Sequence, residues 1–188
     1  MRLISSLAVL LALLTPPAFA DEQYQVEMIL IRQNLEQPFL SQPAPEDWAK
    51  GARPVTTGDE RTPALNDMVA KLGASGNYEV LLHKSWQQSL SDQPSKVSIT
   101  AGQEQFGQFP VEGTLSLTLK RFTDVEALFW VNRFDSNGVV SASERLNQIS
   151  QIKNGQLNFL DSGHLALLLK VTSLSASKRE APPQNLDQ

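Results

Sequence analysis

The stretch that most constrains the fold is the apolar run at residues 165–171. Apolar side chains occupy both faces of this stretch: Leu165, Leu167, Leu169 and Val171 on one, Ala166 and Leu168 on the other. A strand that is apolar on both faces is typical of the middle of a sheet that other layers cover. Upstream, Asn154-Gly155 is a strong signal for a type I′ turn, because both residues tolerate positive φ. The pattern predicts a hairpin over residues 149–172, with its last strand at the centre of the core.

Other stretches alternate between polar and apolar residues with the period of a strand. They are residues 24–32, 78–86, 96–100, 111–119 and 125–134. In 111–119 the odd-numbered residues are expected to face the core, whereas Glu112, Thr114 and Ser116 are expected to face water.

One helix is predicted between the first two strands. Thr62-Pro63 is a cap followed by proline at the first helical position. An apolar stripe with helical spacing follows: Leu65, Met68, Val69 and Leu72. One helix and then a run of strands predict an α+β fold, a single domain with a mostly antiparallel β-sheet.

The domain is expected to span residues 21–174. Residues 33–61 form a Pro-rich loop without periodicity, which Trp48 is a candidate to pin. Residues 175–188 have little to bury and are predicted to be a disordered tail.

Residues 1–20 are predicted to be a signal peptide. Arg2 is followed by an apolar run at residues 3–14, and Ala18-Phe19-Ala20 matches the rule for cleavage after Ala20. No second long apolar run follows, so no membrane span is expected in the mature chain, and the predicted location is the periplasm.

Charge and cysteine content exclude several function classes. Sixteen basic and twenty acidic residues give a net charge of −4, which becomes −5 when the leader removes Arg2. Such a balance argues against a nucleic acid partner. Because the chain has no cysteine, disulfides, thiol catalysis and zinc–cysteine sites are excluded.

No catalytic residue, metal site or cofactor is predicted. Ser-x-x-Lys occurs at Ser150/Lys153 and Ser175/Lys178, but neither copy opens a predicted helix. His83 lacks a partner at the spacing of a metal site. A carboxylate pair of the lysozyme kind stays open among four residues: Glu27, Asp124, Glu126 and Asp161. The chain is therefore predicted not to be an enzyme.

A surface aromatic residue is the candidate ligand contact. By alternation Trp130 stands on the face opposite the core, in one row with Glu126, Asn132 and Phe134. An outward indole with polar neighbours suits stacking on a sugar ring or docking of a protein. The alternative is that the helix or the Pro-rich loop covers Trp130.

Several stretches, in this order, are similar to the CsiV family. They are the leader, residues 24–33, 78–88, 113–128 with Arg121-Phe122 inside, and 157–171. One departure is Ser150-Gln151-Ile152-Lys153, where the family tends to have an Arg-Arg pair. The resemblance implies an exported, non-enzymatic peptidoglycan-binding accessory protein of cell-wall biogenesis and cell shape.

The resemblance also implies partners. They are peptidoglycan and a bifunctional penicillin-binding protein, the cell-wall synthase, or its lipoprotein activator. The alternative function is a periplasmic protein–protein adaptor without glycan affinity.

Overall fold

The computed structural model describes residues 22–34 and 40–175. The predicted signal peptide, residues 35–39 of the Pro-rich loop and residues 176–188 of the predicted tail lie outside the described residues. The elements in chain order are β1 (Glu22–Gln33), β2 (Arg53–Pro54), α1 (Asn66–Ala74), β3 (Tyr78–Leu90), β4 (Ser95–Ala101), β5 (Val111–Leu119), β6 (Thr123–Phe134), β7 (Val140–Ile152), β8 (Leu157–Asp161) and β9 (Leu165–Ser173).

The strands form two sheets. The first sheet has the order β3-β1-β9-β8, and the second has the order β2-β4-β5-β6-β7. Every pairing is antiparallel except that of the two-residue strand β2 with β4. The predicted α+β class with a mostly antiparallel sheet is confirmed. The helix lies between β1 and β3, the first two long strands, with the short β2 before it.

The two sheets pack face to face around one hydrophobic core. The predicted inward residues of β9 meet those of β5 and β6 there, and Leu167 and Phe129 are fully buried. Removing a leucine or phenylalanine side chain completely from water stabilises a fold by about 1.5–3 kcal/mol. The double-sided apolar pattern of β9 is confirmed, because β9 lies between β1 and β8 and its second face is also covered.

Helix α1 covers the other face of the first sheet. Its predicted stripe packs on β1 and β9: Leu65, Met68, Val69 and Leu72 against Ile29, Ile31, Ala166 and Leu168. The helix begins at Asn66, however, and not at Thr62-Pro63. The carboxylate of Glu27 on β1 accepts the backbone N–H groups of Ala64 and Leu65 at 2.9 and 2.8 Å. No described helix is long and apolar enough to cross a membrane.

The turn at Asn154-Gly155 joins the two sheets and does not close the predicted hairpin. Strand β7 pairs with β6, whereas β8 pairs with β9. Gly155 has φ 78°, but Asn154 is not left-handed, so the turn is not type I′. The hairpin is β8–β9, closed by a bond from the Ser162 N–H to the Leu165 carbonyl at 2.9 Å. A local turn signal shows that the chain reverses but does not identify the strand that it joins next.

Candidate ligand-binding cleft

The outer face of the second sheet, turned away from the core, carries the predicted site residues. Glu112 on β5 lies opposite Trp130 on β6, and Trp130 lies opposite Arg145 on β7. The expectation that Trp130 is exposed is wrong, because only 3% of it reaches solvent. Asn132 is also buried, at 6%. A platform for stacking needs an exposed ring face, which Trp130 does not offer.

The cover over Trp130 is a part of the Pro-rich loop, residues 40–50, which we name the bridging segment. At β7, Gln42 donates its N–H to the Ser143 carbonyl at 3.0 Å and accepts a bond from Arg145 Nη1 at 2.9 Å. At β4, the Lys96 ammonium donates to the Lys50 carbonyl at 3.2 Å. Between these ends the segment must cross β6 and β5. The loop-covered alternative for Trp130 is therefore the arrangement found.

Consecutive turns shape the bridging segment. The N–H of Trp48 donates to the Pro45 carbonyl at 3.1 Å, and the N–H of Lys50 donates to the Asp47 carbonyl at 2.9 Å. The turns hold Trp48 half-buried against the second sheet.

A cleft of about 380 Å³ opens between the bridging segment and the β4–β5 connection. It is lined by Ala44, Pro45, Glu46, Trp48, Phe106, Gly107, Gln108 and Glu112. Aromatic rings beside a few polar groups are the usual lining of a ligand site, and the volume lies in the range of such sites. We take this cleft as the candidate functional site.

Phe106 is held at the cleft by a tight turn. Gln105 and Gln108 exchange backbone hydrogen bonds of 2.8 and 3.0 Å across Phe106 and Gly107. These two residues have φ of 50° and 82°, as in a type I′ turn. A left-handed backbone is strained for a phenylalanine, and the side chain is 83% exposed. Strain of this kind concentrates at functional sites, which supports a role for the ring.

The β6–β7 turn, residues 135–139, supports Phe106 from the side. A Cβ added to Gly138 would lie 3.3 Å from Phe106 Cε2, so the ring lies against this turn. The carboxylate of Asp135 accepts the N–H groups of Val139 and Asn137 at 3.0 and 2.8 Å. These bonds lower the pKa of Asp135, so the charged form that stabilises the turn persists below the ordinary range of the group.

Glu112 lies buried beneath the cleft, with 0% of its surface exposed. The prediction that Glu112 faces water is wrong, and so it is for Thr114 and Ser116, which are also buried. Glu112 accepts the Phe109 N–H at 3.1 Å and the Asn132 side-chain amide at 2.9 Å. Asn132 also donates to the Phe109 carbonyl at 2.8 Å. Glu112 and Asn132 thus fix the base of the connection that carries Phe106.

A second cavity, of about 280 Å³, lies on the β7 side of Trp130. Its lining includes Gln42 of the bridging segment, Arg145 and the buried Glu144. Glu144 is neutralised by Arg32 and Arg133, with contacts of 2.9 and 3.0 Å. The buried carboxylate here has counter-charges, whereas Glu112 beside the cleft has none among the described residues.

The predicted site residues do not form one patch. Glu126 is exposed on the outer face, but it lies four residues from Trp130 along β6, roughly 13 Å at about 3.3 Å per residue. Phe134 is half-buried at the end of the same strand. The prediction named Trp48 only as a residue that pins the loop, and it did not name Phe106 as a site residue. The available signal was an aromatic residue inside a segment that is otherwise rich in proline, as for Trp48, or in glycine and glutamine, as for Phe106.

A comparison with known protein families shows to which family the chain belongs. The family model for CsiV, described as a peptidoglycan-binding protein, matches residues 52–174. The chain belongs to the CsiV family. No curated protein and no solved structure matches this CsiV-family chain. The matched range includes Phe106 and Glu112, whereas Trp48 precedes it.

Proposed function

We propose that this CsiV-family protein is a non-enzymatic peptidoglycan-binding accessory protein of the periplasm that supports a cell-wall synthase of the penicillin-binding type. The observation that carries the proposal is the family match, which extends from just before β2 to the end of β9. The cleft supplies a place for the ligand, because Trp48 and Phe106 provide apolar ring surface beside polar groups. Such surfaces suit amino sugars and short peptides.

The carboxylates considered for hydrolysis have structural partners, which supports binding without cleavage. Glu27 accepts bonds at the start of the helix, and Asp124 pairs with Lys120 at 2.6 Å. Asp161 accepts bonds from Gln33 and from the Gly163 N–H at 2.7 and 2.9 Å. Of these four carboxylates, Glu126 is exposed and has no hydrogen bond or ion pair of this kind within the described ranges.

Cosedimentation with purified peptidoglycan sacculi tests the proposal. The mature protein should appear in the pellet, and Trp48→Ala or Phe106→Ala should weaken binding by roughly tenfold or more, as loss of a central aromatic contact does. Phe122→Ala is the matched control. Phe122 is also an exposed phenylalanine, but it lies in the β5–β6 turn, at the other end of β5 from Glu112.

The same tubes separate the alternatives. Release of soluble muropeptides would indicate a hydrolase. Absence of the protein from the pellet would favour the adaptor without glycan affinity. Exposed apolar residues on the edge strands also favour an adaptor, chiefly Ile149 on β7 and Phe159 on β8. Support of a synthase is tested separately, by adding the protein to a purified bifunctional penicillin-binding protein and measuring its rate of glycan polymerisation.

A further inference from the structure

The cleft beside Trp48 has an anionic lining. Glu46 on the bridging segment and Glu112 on β5 carry its charges, and the other described lining residues are neutral. A concave site lined by one sign of charge concentrates ions of the opposite sign. The lining therefore favours a ligand group that is positively charged and disfavours a carboxylate.

Glu112 differs from the other buried glutamates in the part of the chain that the structure describes. Glu144 has arginine partners, and Glu27 has a histidine partner. The bonds that Glu112 accepts come from neutral donors, the Phe109 N–H and the Asn132 amide. A buried carboxylate without a counter-charge is unfavourable, and its field is weakly screened inside a protein. A cation in the cleft would supply the counter-charge without having to touch Glu112.

Two aromatic rings line the same cavity. A cation near the face of a tryptophan or phenylalanine ring is attracted by the ring quadrupole. Trp48 comes from the bridging segment and Phe106 from the strained turn opposite, so a group between them can meet both rings. Aromatic rings combined with carboxylates are the usual recognition elements for an organic ammonium group.

We infer that the cleft binds a primary ammonium group of peptidoglycan, an inference that rests on the proposed function. The sugars of peptidoglycan are neutral where they are N-acetylated, and the ends of its stem peptides are carboxylates. Its cationic groups are the side-chain amine of the diamino acid in a stem peptide that is not cross-linked, and the amine of a glucosamine that has lost its acetyl group. The protein would thus prefer peptidoglycan with free amines, and un-cross-linked stem peptides are their expected source.

Chemical acetylation of sacculi tests the inference, because it converts each amine into a neutral amide and leaves the polymer intact. The wild-type protein should bind acetylated sacculi roughly tenfold or more weakly than untreated sacculi. Glycan strands from which an amidase has removed the stem peptides identify the source. Retained binding to these strands that acetylation abolishes assigns the amino sugar, whereas competition by a soluble stem peptide with a free side-chain amine, and none by its acetylated form, assigns the stem-peptide amine.

Variants separate recognition of the amine from a general effect of charge. Glu112→Gln and Glu46→Gln should each bind untreated sacculi more weakly than the wild type does, and acetylation should weaken each of them less than it weakens the wild type, because one attractive charge is already missing. Asp92→Asn is the control, because it removes the same charge at a place away from the cleft. Asp92 lies in the β3–β4 turn, and the Leu119 N–H donates to the Ser91 carbonyl, which places this turn at the other end of β5 from Glu112. This control should respond to acetylation as the wild type does.

Three results would contradict the inference that the cleft binds an ammonium group. Equal binding of the wild type to both kinds of sacculi, with binding still weakened by Trp48→Ala, overturns the inference and leaves the proposed function in place. An equal loss on acetylation in the wild type and in Glu46→Gln overturns it as well. Glu46 is exposed, so this variant is informative even if Glu112→Gln fails to fold. Absence of the wild type from every pellet overturns both proposals.

Discussion

Trp130 is buried because a distant part of the chain returns over a strand whose own pattern places it outside. The bridging segment is anchored at β7 and at β4, so the row Glu112, Trp130 and Arg145 lies beneath it. The indole N–H of Trp130 has no hydrogen-bond partner among the described residues. Its contribution to the fold is therefore its apolar surface.

Trp130→Ala is expected to lower the free energy of unfolding by about 3–5 kcal/mol, the usual effect of truncating a buried tryptophan. Trp130→Phe should lose much less, because it keeps most of the apolar surface and breaks no hydrogen bond. Denaturant unfolding of the two variants measures the difference. A mild effect of Trp130→Ala would mean that the segment does not stay on this face in solution.

Asp59 gives the fold a predictable response to acid. Its carboxylate accepts a hydrogen bond from the Thr56 N–H at 2.9 Å and a second one from the Arg53 guanidinium at 2.7 Å. Both bonds stabilise the charged carboxylate, so the pKa of Asp59 falls from 3.8 to about 2. A carboxyl group whose pKa is lower in the folded state stabilises the fold above its unfolded value and loses that contribution as the pH falls. The relevant window runs from about pH 3.8 down to about pH 2.

Asp59→Asn should therefore melt at a lower temperature than the wild type at neutral pH, and the difference should shrink between pH 4 and pH 2. Thermal melts of both proteins across this range measure it. Asp92→Asn serves as the control, since within the described part of the chain the Asp92 carboxylate accepts a single, long contact of 3.5 Å, from its neighbour Gln93. A difference between Asp59→Asn and the wild type that does not change with pH would contradict the assignment.

At the scale of elements, helix α1 depends on a residue of β1. Glu27 accepts the N–H groups of Ala64 and Leu65, just before the helix begins, and its Oε1 lies 2.8 Å from His83 Nε2. The residue at the cap position, Leu65, has no side chain that can accept these bonds. The strand thus positions the helix before the apolar stripe packs.

Glu27→Ala should destabilise the protein by roughly 1–3 kcal/mol, because it leaves partly buried backbone donors without an acceptor. Hydrogen exchange of the α1 amides should speed up more than that of β9. Asp67→Ala is the control: Asp67 is exposed in the first turn, where it acts only through the helix dipole, with an effect of about 0.3–1 kcal/mol. Equal losses in the two variants would show that Glu27 does not anchor the helix.

The elements that could be predicted from the sequence are those specified by their own periodicity. The stripe ending at Leu72 and the two apolar faces of β9 depend on neighbours in the chain, and both were predicted correctly. The cap at Glu27 was missed because acceptor and donors are 37 and 38 residues apart. Phe106 was missed because nothing local favours a left-handed phenylalanine, which the rest of the fold imposes.

At the scale of the whole molecule, the division into two sheets could not be predicted. Polar and apolar residues alternate along the strands in the same way whichever sheet they join. The pattern therefore predicts strands in a sheet, but not that β7 and β8 belong to different sheets, which the Asn154-Gly155 turn connects. The candidate site depends on the same long-range information. Glu112 and Trp48 line one cleft only because the bridging segment spans the second sheet from β7 to β4.

Leu167→Asp is expected to prevent folding. Leu167 is fully buried between the sheets, and an unpaired carboxylate there costs several kcal/mol against a total domain stability of about 5–15 kcal/mol. Ile149→Asp is the matched control. Ile149 is 78% exposed on β7, so the same change should alter stability by about 0.5 kcal/mol or less. Thermal melts followed by circular dichroism measure the stability of both variants. Similar losses of stability in the two would refute the two-sheet core.

The pairing of β1 with β9 has a consequence for the order of folding. Tyr24 lies opposite Ser173, and the Leu174 N–H donates to the Gln23 carbonyl at 3.0 Å, so the first strand of the fold takes its place beside the last. A chain emerging from the ribosome cannot complete the first sheet until β9 has been synthesised, after every other described strand. Contacts so distant in sequence also slow folding. Until β9 has been made, β1 has only β3 beside it, and the first sheet stays incomplete.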